Sequence, residues 1–592
     1  MKDGYLIDYI SGVEVKATPE ELEAVQVFSK ILVEDYGYPK VNIQTRPQHR
    51  VKVRPSDEKK EYPVDIAVFL NEAKNEDDIY IVVECKKKNR KDGKTQLEDY
   101  LRFCKAQMGV WFNGEERVYI RKYEKDGKVM FSEIPNIPQY GQRLEDIGKF
   151  KRKDLKLTHN LKAVFKAIRN HLAANTVGAT RDEVLAQQLI NIIFCKIYDE
   201  RFTEPEDIVD FRAGFEEEPE KVKERLLEIF EKVKRKYKEV MDKGDNITLD
   251  ANSIVYVIGE LQNYCLIEAE RDSVADAFEI FIGHALKGGQ GQFFTPRNVV
   301  KMMVDILDPS DEDIIIDPSC GSGGFLVEAL RHVWRKLDED GEKYHWNNEN
   351  LREEKMEVAL NRIRGIDKDY FLSKVAKAYM AILGDGKSGI FCEDSLELPS
   401  NWGDKTKIKI DKGKFSILLT NPPFGSKIPV RGEDKLKQYD LAYKWKQEKN
   451  TGIWTKGKLK DKESPQVLFI ERDIQLLANK GKMAIVLPDG VFGNDTFGYI
   501  RTWLKTQGRI LAIIDVPIET FQPNTSTKTS ILIFQKLEKK DIPADYEIFM
   551  GIADTCGHDR RGNEIESDDI KNIAKLYKEW EAKQKDIITK ED

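Results

Sequence analysis

Apolar and polar positions change their period several times along this chain, and each change predicts an element. Leu22, Val25, Phe28 and Leu32 recur at helical spacing behind Thr18-Pro19-Glu20-Glu21. There a cap residue, a proline at the first helical position and two acids predict a helix start. Gly37-Tyr38-Pro39 predicts its stop. Val64 to Leu70 and Ile79 to Val83 read as strands. From about 150 to 280 the pattern is helical and charged, with Leu226, Ile229, Phe230, Val233, Tyr237 and Val240 on one stripe of the kind that packs a core. Val299, Met302, Met303 and Ile306 predict a further helix, capped by Thr295-Pro296.

The second half changes character. Ile314 to Ile316, Ile363 to Ile366, Ile390 to Cys392 and Phe415 to Leu419 are mainly apolar runs, interrupted by Arg364 and Ser416. Such runs mark parallel strands buried on both faces. Polar residues follow each of them: Asp317, Asp367, Asp394 and Asn421. In a doubly wound α/β sheet the carboxyl ends of the strands line the ligand crevice, so these residues converge on one pocket. Asp317 opens Asp317-Pro318-Ser319-Cys320-Gly321-Ser322-Gly323-Gly324-Phe325, whose glycines let a small ligand lie against backbone N–H groups. Asp367 suits ribose hydroxyls, although it also reads as a helix cap. Asn421-Pro422-Pro423-Phe424 removes two N–H donors and frees carbonyl oxygens beside a planar amide, a site for a planar nitrogen. Gly288-Gly289-Gln290-Gly291-Gln292-Phe293-Phe294-Thr295-Pro296-Arg297 reads as a lid over that crevice. Gly386-Lys387-Ser388 is no phosphate loop, because position 381 is alanine where that motif needs glycine, so the chain is no DNA-translocating motor.

The length of 592 residues predicts roughly three or four units. No apolar run is long enough to span a bilayer, and the polar start lacks a secretion signal. Seven scattered cysteines without a Cys-x-x-Cys pair fit a reducing cytoplasm and no zinc ribbon, and Cys556-Gly557-His558 reads as a surface loop. The net charge of −7 argues against a simple basic nucleic-acid binder. Charge is uneven, however. Lys86 to Lys91 and Lys427 to Lys462 are rich in basic residues, and the second stretch carries Tyr439, Tyr443, Trp445 and Trp454, a mixture suited to phosphates and bases.

Asp65 at the start of one predicted strand and Glu84-Cys85-Lys86 at the end of the next form a second constellation. Two carboxylates and an ammonium in that order can gather around Mg²⁺. The segment resembles the amino-terminal nuclease-like domain of type I restriction subunits, a PD-(D/E)xK relative. The matching residues are Pro19 to Glu21, Gly37 to Pro39, Asp65-Ile66, Val82 to Lys86, Gln96 with Tyr100, and Asn113-Gly114. The resemblance implies Asp65, Glu84 and Lys86 as a nuclease centre, Asp65 and Glu84 as Mg²⁺ ligands, and Glu20 or Glu21 with Gln96 as accessory positions.

Residues 280 to 540 resemble the modification subunit of type I restriction-modification systems, an N6-adenine DNA methyltransferase. The residues that carry this are Gln292 to Arg297, Asp317 to Leu326, Gly365 to Asp367, Asp394 to Leu396, Asn421 to Phe424, Gly481 to Pro488 and Leu511 to Phe521. The resemblance implies S-adenosylmethionine bound by Gln292, Phe293, Phe294, Thr295, Pro296 and Arg297, by Asp317, Ser322, Gly323 and Gly324, and by Asp367 and Asp394. Asn421, Pro422, Pro423 and Phe424 would hold an adenine turned out of double-stranded DNA.

Typical modification subunits lack the first 150 residues, so the chain also resembles type IIG and IIB bifunctional enzymes. Only about 58 residues follow Phe534, too few for sequence readout. A separate specificity subunit is therefore expected, docked partly through a tail helix bearing Ile570, Ile573, Leu576, Tyr577 and Trp580, a face that would otherwise pack on its own domain. A restriction subunit is a further candidate partner.

The expected architecture is an α/β protein. A Rossmann-like methyltransferase core (281–540) is joined to a helical domain (151–280), an amino-terminal α/β nuclease-like domain (1–150) and a helical tail (541–592).

Overall fold

The computed structural model describes all residues except 1–3, 53–60, 89, 91, 158–160, 176–181, 239, 242–243, 268–294, 384–388, 426–428, 523–524 and 592. Gln292, Phe293, Phe294 and Gly386-Lys387-Ser388 thus lie outside the described residues. The chain forms two compact units, Met1–Lys236 with Lys243–Ala285, and Tyr237–Asp242 with Leu286–Asp592.

The first unit is built on a six-stranded sheet. Its strands are β1 (Ile43–Gln44), β2 (Ile66–Phe69), β3 (Ile79–Cys85), β4 (Met108–Phe112), β5 (Arg117–Lys125) and β6 (Lys128–Ile134), and they lie in sequence order. Only β3 and β4 are parallel, because α2 (Lys94–Phe103) makes the crossover between them. Helix α1 (Gln26–Glu34) packs Phe28 and Leu32 on Ile66, Val68, Ile81 and Val83, and α2 packs Leu97 and Leu101 on the other face. Burying each such side chain stabilises the fold by roughly 1.5–3 kcal/mol. Helical spacing placed Leu22 on the buried face, but a wider π-turn over Glu21–Val25 rotates it outward, and it is 51% exposed.

Helices α3 (Leu161–Asn175), α4 (Asp182–Phe202), α5 (Pro219–Lys236) and α6 (Ala251–Leu261) complete this unit. The predicted stripe is buried, although α5 ends at Lys236, so Tyr237 and Val240 lie beyond it. A buried ion pair, Arg117 to Glu260 at 2.8 Å, and the Asn136 amide donating to the Gly259 carbonyl at 2.8 Å tie sheet to helices.

The second unit carries an eight-stranded sheet. In chain order its strands are β7 (Ile315–Asp317), β8 (Ile363–Asp367), β9 (Ile390–Cys392), β10 (Phe415–Thr420), β11 (Leu477–Pro488), β12 (Gly508–Asp515), β13 (Thr529–Lys536) and β14 (Phe549–Ile552). In space the order is β9-β8-β7-β10-β11-β13-β12-β14, and β13 runs antiparallel to both neighbours. This is the doubly wound, Rossmann-like sheet expected from the sequence. The order reverses between β7 and β10, which makes a crevice at their carboxyl ends.

Helix α7 (Arg297–Leu307) precedes the sheet, α8 (Gly324–Tyr344) follows β7, α9 (Tyr370–Leu383) follows β8, and α10 (Pro465–Leu476) leads into β11. The tail helix α11 (Ile570–Glu591) packs against α7. Its apolar face is therefore largely used within the chain: Ile570, Ile573 and Tyr577 are buried, Tyr577 and Trp580 cluster with Phe549, and Leu576 alone of the five is exposed. Cys556–His558 is a short strand paired with Glu564–Asp568 rather than an open loop. No described helix is long and apolar enough to cross a membrane.

Candidate active site

The sheet register explains how distant residues meet. Ile315 on β7 sits beside Ile363 on β8 and Ile417 on β10, so Asp317, Asp367 and Asn421 emerge together at the carboxyl edge. Asp317 is 1% exposed, and its Oδ1 accepts hydrogen bonds from the Ser319 N–H at 3.0 Å and the Thr420 hydroxyl at 2.7 Å. The Ser319 and Thr420 hydroxyls are 2.6 Å apart; with the Thr420 proton committed to Asp317, Ser319 donates. Burial pushes the Asp317 carboxyl up to about 7, against the pull of the Thr420 and Ser319 hydrogen bonds.

Asp367 binds the glycine turn directly. Its Oδ2 accepts from the Gly321 N–H at 2.9 Å and its Oδ1 from the Asp369 N–H at 2.8 Å. Burial raises its pKa despite these bonds. Asp369, two residues on, caps α9 by accepting from the Leu372 N–H at 2.9 Å. Asp367 is thus free of the capping role that its place before a helix suggested.

Gly323 starts α8 at φ +90°, in the left-handed region that glycine enters without strain. Gly365 is closely packed: a Cβ there would lie 2.7 Å from the side-chain ends of Ile390 and Leu326, which would have to shift to admit it. At Gly321 and Gly324 the same Cβ would meet nothing within 4 Å, so the turn opens onto free space.

Asn421 follows β10 directly. Its side-chain N–H donates to the Thr295 hydroxyl at 3.0 Å, while its Oδ1 is buried and has no hydrogen-bond partner. An orphaned amide oxygen costs about 1–3 kcal/mol, and such groups in folded proteins are satisfied by an ordered water or a ligand or serve in chemistry. Pro422 is buried, Pro423 and Phe424 are half-buried, and the Gly425 N–H donates to the Gln466 side chain at 3.3 Å. Thr295 therefore orients the amide. The cap expected of its side chain on α7 is not made.

Asp394 is placed differently from Asp317 and Asp367. Its carboxylate is held by Lys435 at 2.5 Å and by the Leu396 N–H at 3.0 Å. Three residues escaped the sequence reading. Thr420 looked like the end of an apolar strand, and Lys435 was one of many lysines. Asp473, on α10, is fully buried beside Asp317 with neither carboxyl oxygen hydrogen-bonded, and burial raises its pKa. In Ile470-Glu471-Arg472-Asp473 it reads as an ordinary charged helix face.

The aromatic residues of the basic stretch are also spent within the fold. Tyr439 is buried, with its hydroxyl bonded to the Leu396 carbonyl at 2.9 Å, and Trp445 stacks on Tyr499 at 6.0 Å.

The first unit holds a second polar cluster. Ile66 pairs with Val83 across β2 and β3, so Asp65 lies opposite Glu84. The Asp65 Oδ2 accepts from the Cys85 N–H at 2.7 Å, and Lys86 bonds Glu84. Burial raises Asp65 to about 6 and Glu84 to about 7, and the Asp65 charge adds to the shift at Glu84. The two accessory glutamates part company. Glu21 is buried in a pair with Arg46 at 2.5 Å, whereas the charge of Glu20 acts on both Asp65 and Glu84. Gln96 bonds Tyr100, one turn along α2. Among the described residues no three carboxylate, histidine or cysteine side chains gather to hold a metal. Two carboxylates do suffice for Mg²⁺, which keeps several waters and takes phosphate oxygens.

Residues 269–590, more than half of the chain, match the model of the N-6 DNA Methylase family, and the protein belongs to that family. Residues 19–138 match the Type I restriction enzyme R protein N terminus. Among curated proteins, the chain is 29% identical over 274 residues to the type I restriction enzyme EcoEI methylase subunit of Escherichia coli (45% of this chain, 47% of that protein). It is 25% identical over 320 residues to the type I restriction enzyme MjaVII methylase subunit of Methanocaldococcus jannaschii (53% and 49%). The chain thus spans about half the length of the curated relatives it matches. A solved chain from a type I R-M system shares the fold at TM-score 0.50 and 18% identity, covering 73% of this chain and 85% of that one.

Proposed function

We propose that this chain is a site-specific DNA adenine-N6 methyltransferase, the modification subunit of a restriction-modification system. The buried, unpartnered Asn421 Oδ1 beside the open glycine turn carries the reading. That open turn also fits S-adenosylmethionine. Gln292 to Arg297, Asp317, Ser322 to Gly324, Asp367 and Asp394 would hold it. Asp394 does so only by sharing its carboxylate with Lys435. When bound, the cofactor supplies the methyl group.

The chain's own part is to present the nitrogen. Asn421 Oδ1 and the Pro422 carbonyl accept the two hydrogens of the exocyclic amine, which draws the lone pair out of ring conjugation. Thr295 keeps the amide from turning over. Phe424 stacks on the base, which must first leave the duplex. The test is methyl transfer from labelled S-adenosylmethionine to DNA, with the specificity partner present. Asn421→Ala is expected to lose about a thousandfold in rate, the scale on which removing one positioned polar group acts. An unchanged rate would remove the basis of the assignment.

A second reading rests on the buried Asp65–Glu84 pair with Lys86. The donor set, hard oxygens without a histidine, fits Mg²⁺, and residues 1–150 would then form a DNA-cutting domain ahead of the helical 151–280, the methyltransferase 281–540 and the tail 541–592. On this reading the chain is bifunctional, in the manner of type IIG and IIB enzymes. The inactive alternative is a nuclease-like module that only binds DNA.

Double-stranded DNA is the proposed substrate. A separate specificity subunit is the proposed partner, seated where Leu576 and the edge-strand residues Met550 and Ile552 are exposed. A restriction subunit would complete the complex. We place it in the cytoplasm on its free cysteines.

A further inference from the structure

Between Phe424 and Ser464 lies an insertion whose middle buries Leu436, Tyr439, Leu441 and Ala442 in the second unit. A two-stranded stem, Val430 with Glu463 and Arg431 with Lys462, closes this insertion. Its main feature is a hairpin of Tyr443–Gln447 and Trp454–Leu459, with Trp445 opposite Lys456 and Gln447 opposite Trp454. Alternation along a strand sends successive side chains to opposite faces, and the two faces here do different work.

One face is an anchor. Trp445 stacks on Tyr499 at an interplanar angle of 14°, Trp454 tilts against the same ring at 6.0 Å, and the Lys460 ammonium donates to its hydroxyl at 3.2 Å. A Cβ on Gly498 would come within 2.9 Å of the Trp454 ring, so that glycine lets the hairpin seat. Tyr499 belongs to the segment after the carboxyl end of β11, and Asn421 follows the carboxyl end of its parallel neighbour β10. The anchor thus holds the hairpin at the rim where Asn421 emerges.

The other residues supply charge. From Tyr443 to Lys460 there are six lysines and one acid, in a chain whose net charge is −7. Lys456 is paired with Asp440, and Lys460 with Glu463. Lys444, Lys446, Lys449 and Lys458 are exposed and have no acidic partner among the described residues. Glu448, the lone acid, is turned back to the Thr451 hydroxyl at 3.0 Å.

We propose that this hairpin is a clamp for the phosphate backbone of DNA flanking the target base; the proposal rests on the DNA-methyltransferase reading. Exposed, unpaired lysines on a rigid ribbon match the charge of a phosphate run. With the tryptophans packed on Tyr499 and the Lys456 ammonium 3.8 Å from the centre of the Tyr443 ring, the exposed groups of the hairpin are mainly lysines, so the clamp adds affinity without sequence preference.

The test is fluorescence anisotropy of the full chain with a double-stranded DNA of arbitrary sequence, from about 50 to 200 mM salt, the range over which phosphate contacts are strongly screened. The variant carries Lys444→Ala, Lys446→Ala and Lys449→Ala; a second replaces the same three by arginine. Each lost phosphate contact should flatten the slope of log affinity against log salt by about 0.9, so the alanine variant should lose about 2.7. The arginine variant should keep the parent slope. S-adenosylmethionine affinity, read by calorimetry, should match the parent in both variants. An alanine variant with the parent's slope overturns the clamp alone. A parent that binds no DNA at the lowest salt overturns the clamp together with the DNA reading beneath it.

Discussion

The two polar clusters of this chain use the same building plan for opposite ends. Each gathers side chains at the edge of a buried sheet, and in each burial raises a carboxyl toward neutrality: Asp317 to about 7, Glu84 to about 7, Asp65 to about 6. Around Asp317 burial is offset by hydroxyl and backbone donors, and the groups left wanting are acceptors, the Asn421 oxygen and the Asp473 carboxyl. Around Asp65 and Glu84 the neighbouring acid Glu20 adds repulsion, and the Lys86 ammonium hydrogen-bonds Glu84 alone. A site short of a donor attracts an amine; a site with surplus negative charge attracts a cation. That difference separates the two proposed chemistries.

The sharpest way to break the comparison is to disable one cluster and read both. Asp65→Ala should abolish any Mg²⁺-dependent cutting by the partnered enzyme, a loss of at least about a hundredfold, while methyl transfer stays within about twofold. Cutting that survives would clear the first unit of catalysis. Next in size is Asp317→Asn, which removes a charged acceptor of two hydrogen bonds. Calorimetry should show S-adenosylmethionine affinity falling about ten- to a hundredfold, with Mg²⁺ binding untouched.

A pH series then distinguishes the carboxylate pair. Raised carboxyl values mean that the folded state holds its protons longer than the unfolded chain does. The stability contributed by Asp65 and Glu84 is therefore full at low pH and is lost as pH rises through about 6 and 7. Mg²⁺ needs both groups ionised, so its stabilising shift in melting temperature should grow from pH 6 to 8. A shift independent of pH would place the ion elsewhere. The smallest effect belongs to Thr295→Val, which frees the Asn421 amide to turn over. The methylation rate should fall about three- to tenfold, and Thr295→Ser should restore it.

Much of the second unit was readable because four mainly apolar runs each lead to a polar residue at a strand end. Strand register then did what spacing implied, and Asp317, Asp367 and Asn421 meet. The tertiary pairings were not readable. Whether Asp394 faces a ligand or Lys435, whether Glu20 or Glu21 turns toward Asp65, and whether Trp445 meets a base or Tyr499 depend on partners far away in sequence. The tail is a related case. An amphipathic stripe reports that Ile573 and Tyr577 are covered, but not by what.

The most direct measurement is to find the atom that receives the label. DNA methylated by the partnered chain from tritiated S-adenosylmethionine would be digested to nucleosides and separated. The label should run wholly with N6-methyldeoxyadenosine and vanish with Asn421→Ala. Label on a cytosine, or on protein rather than DNA, would contradict the assignment of this amide to adenine.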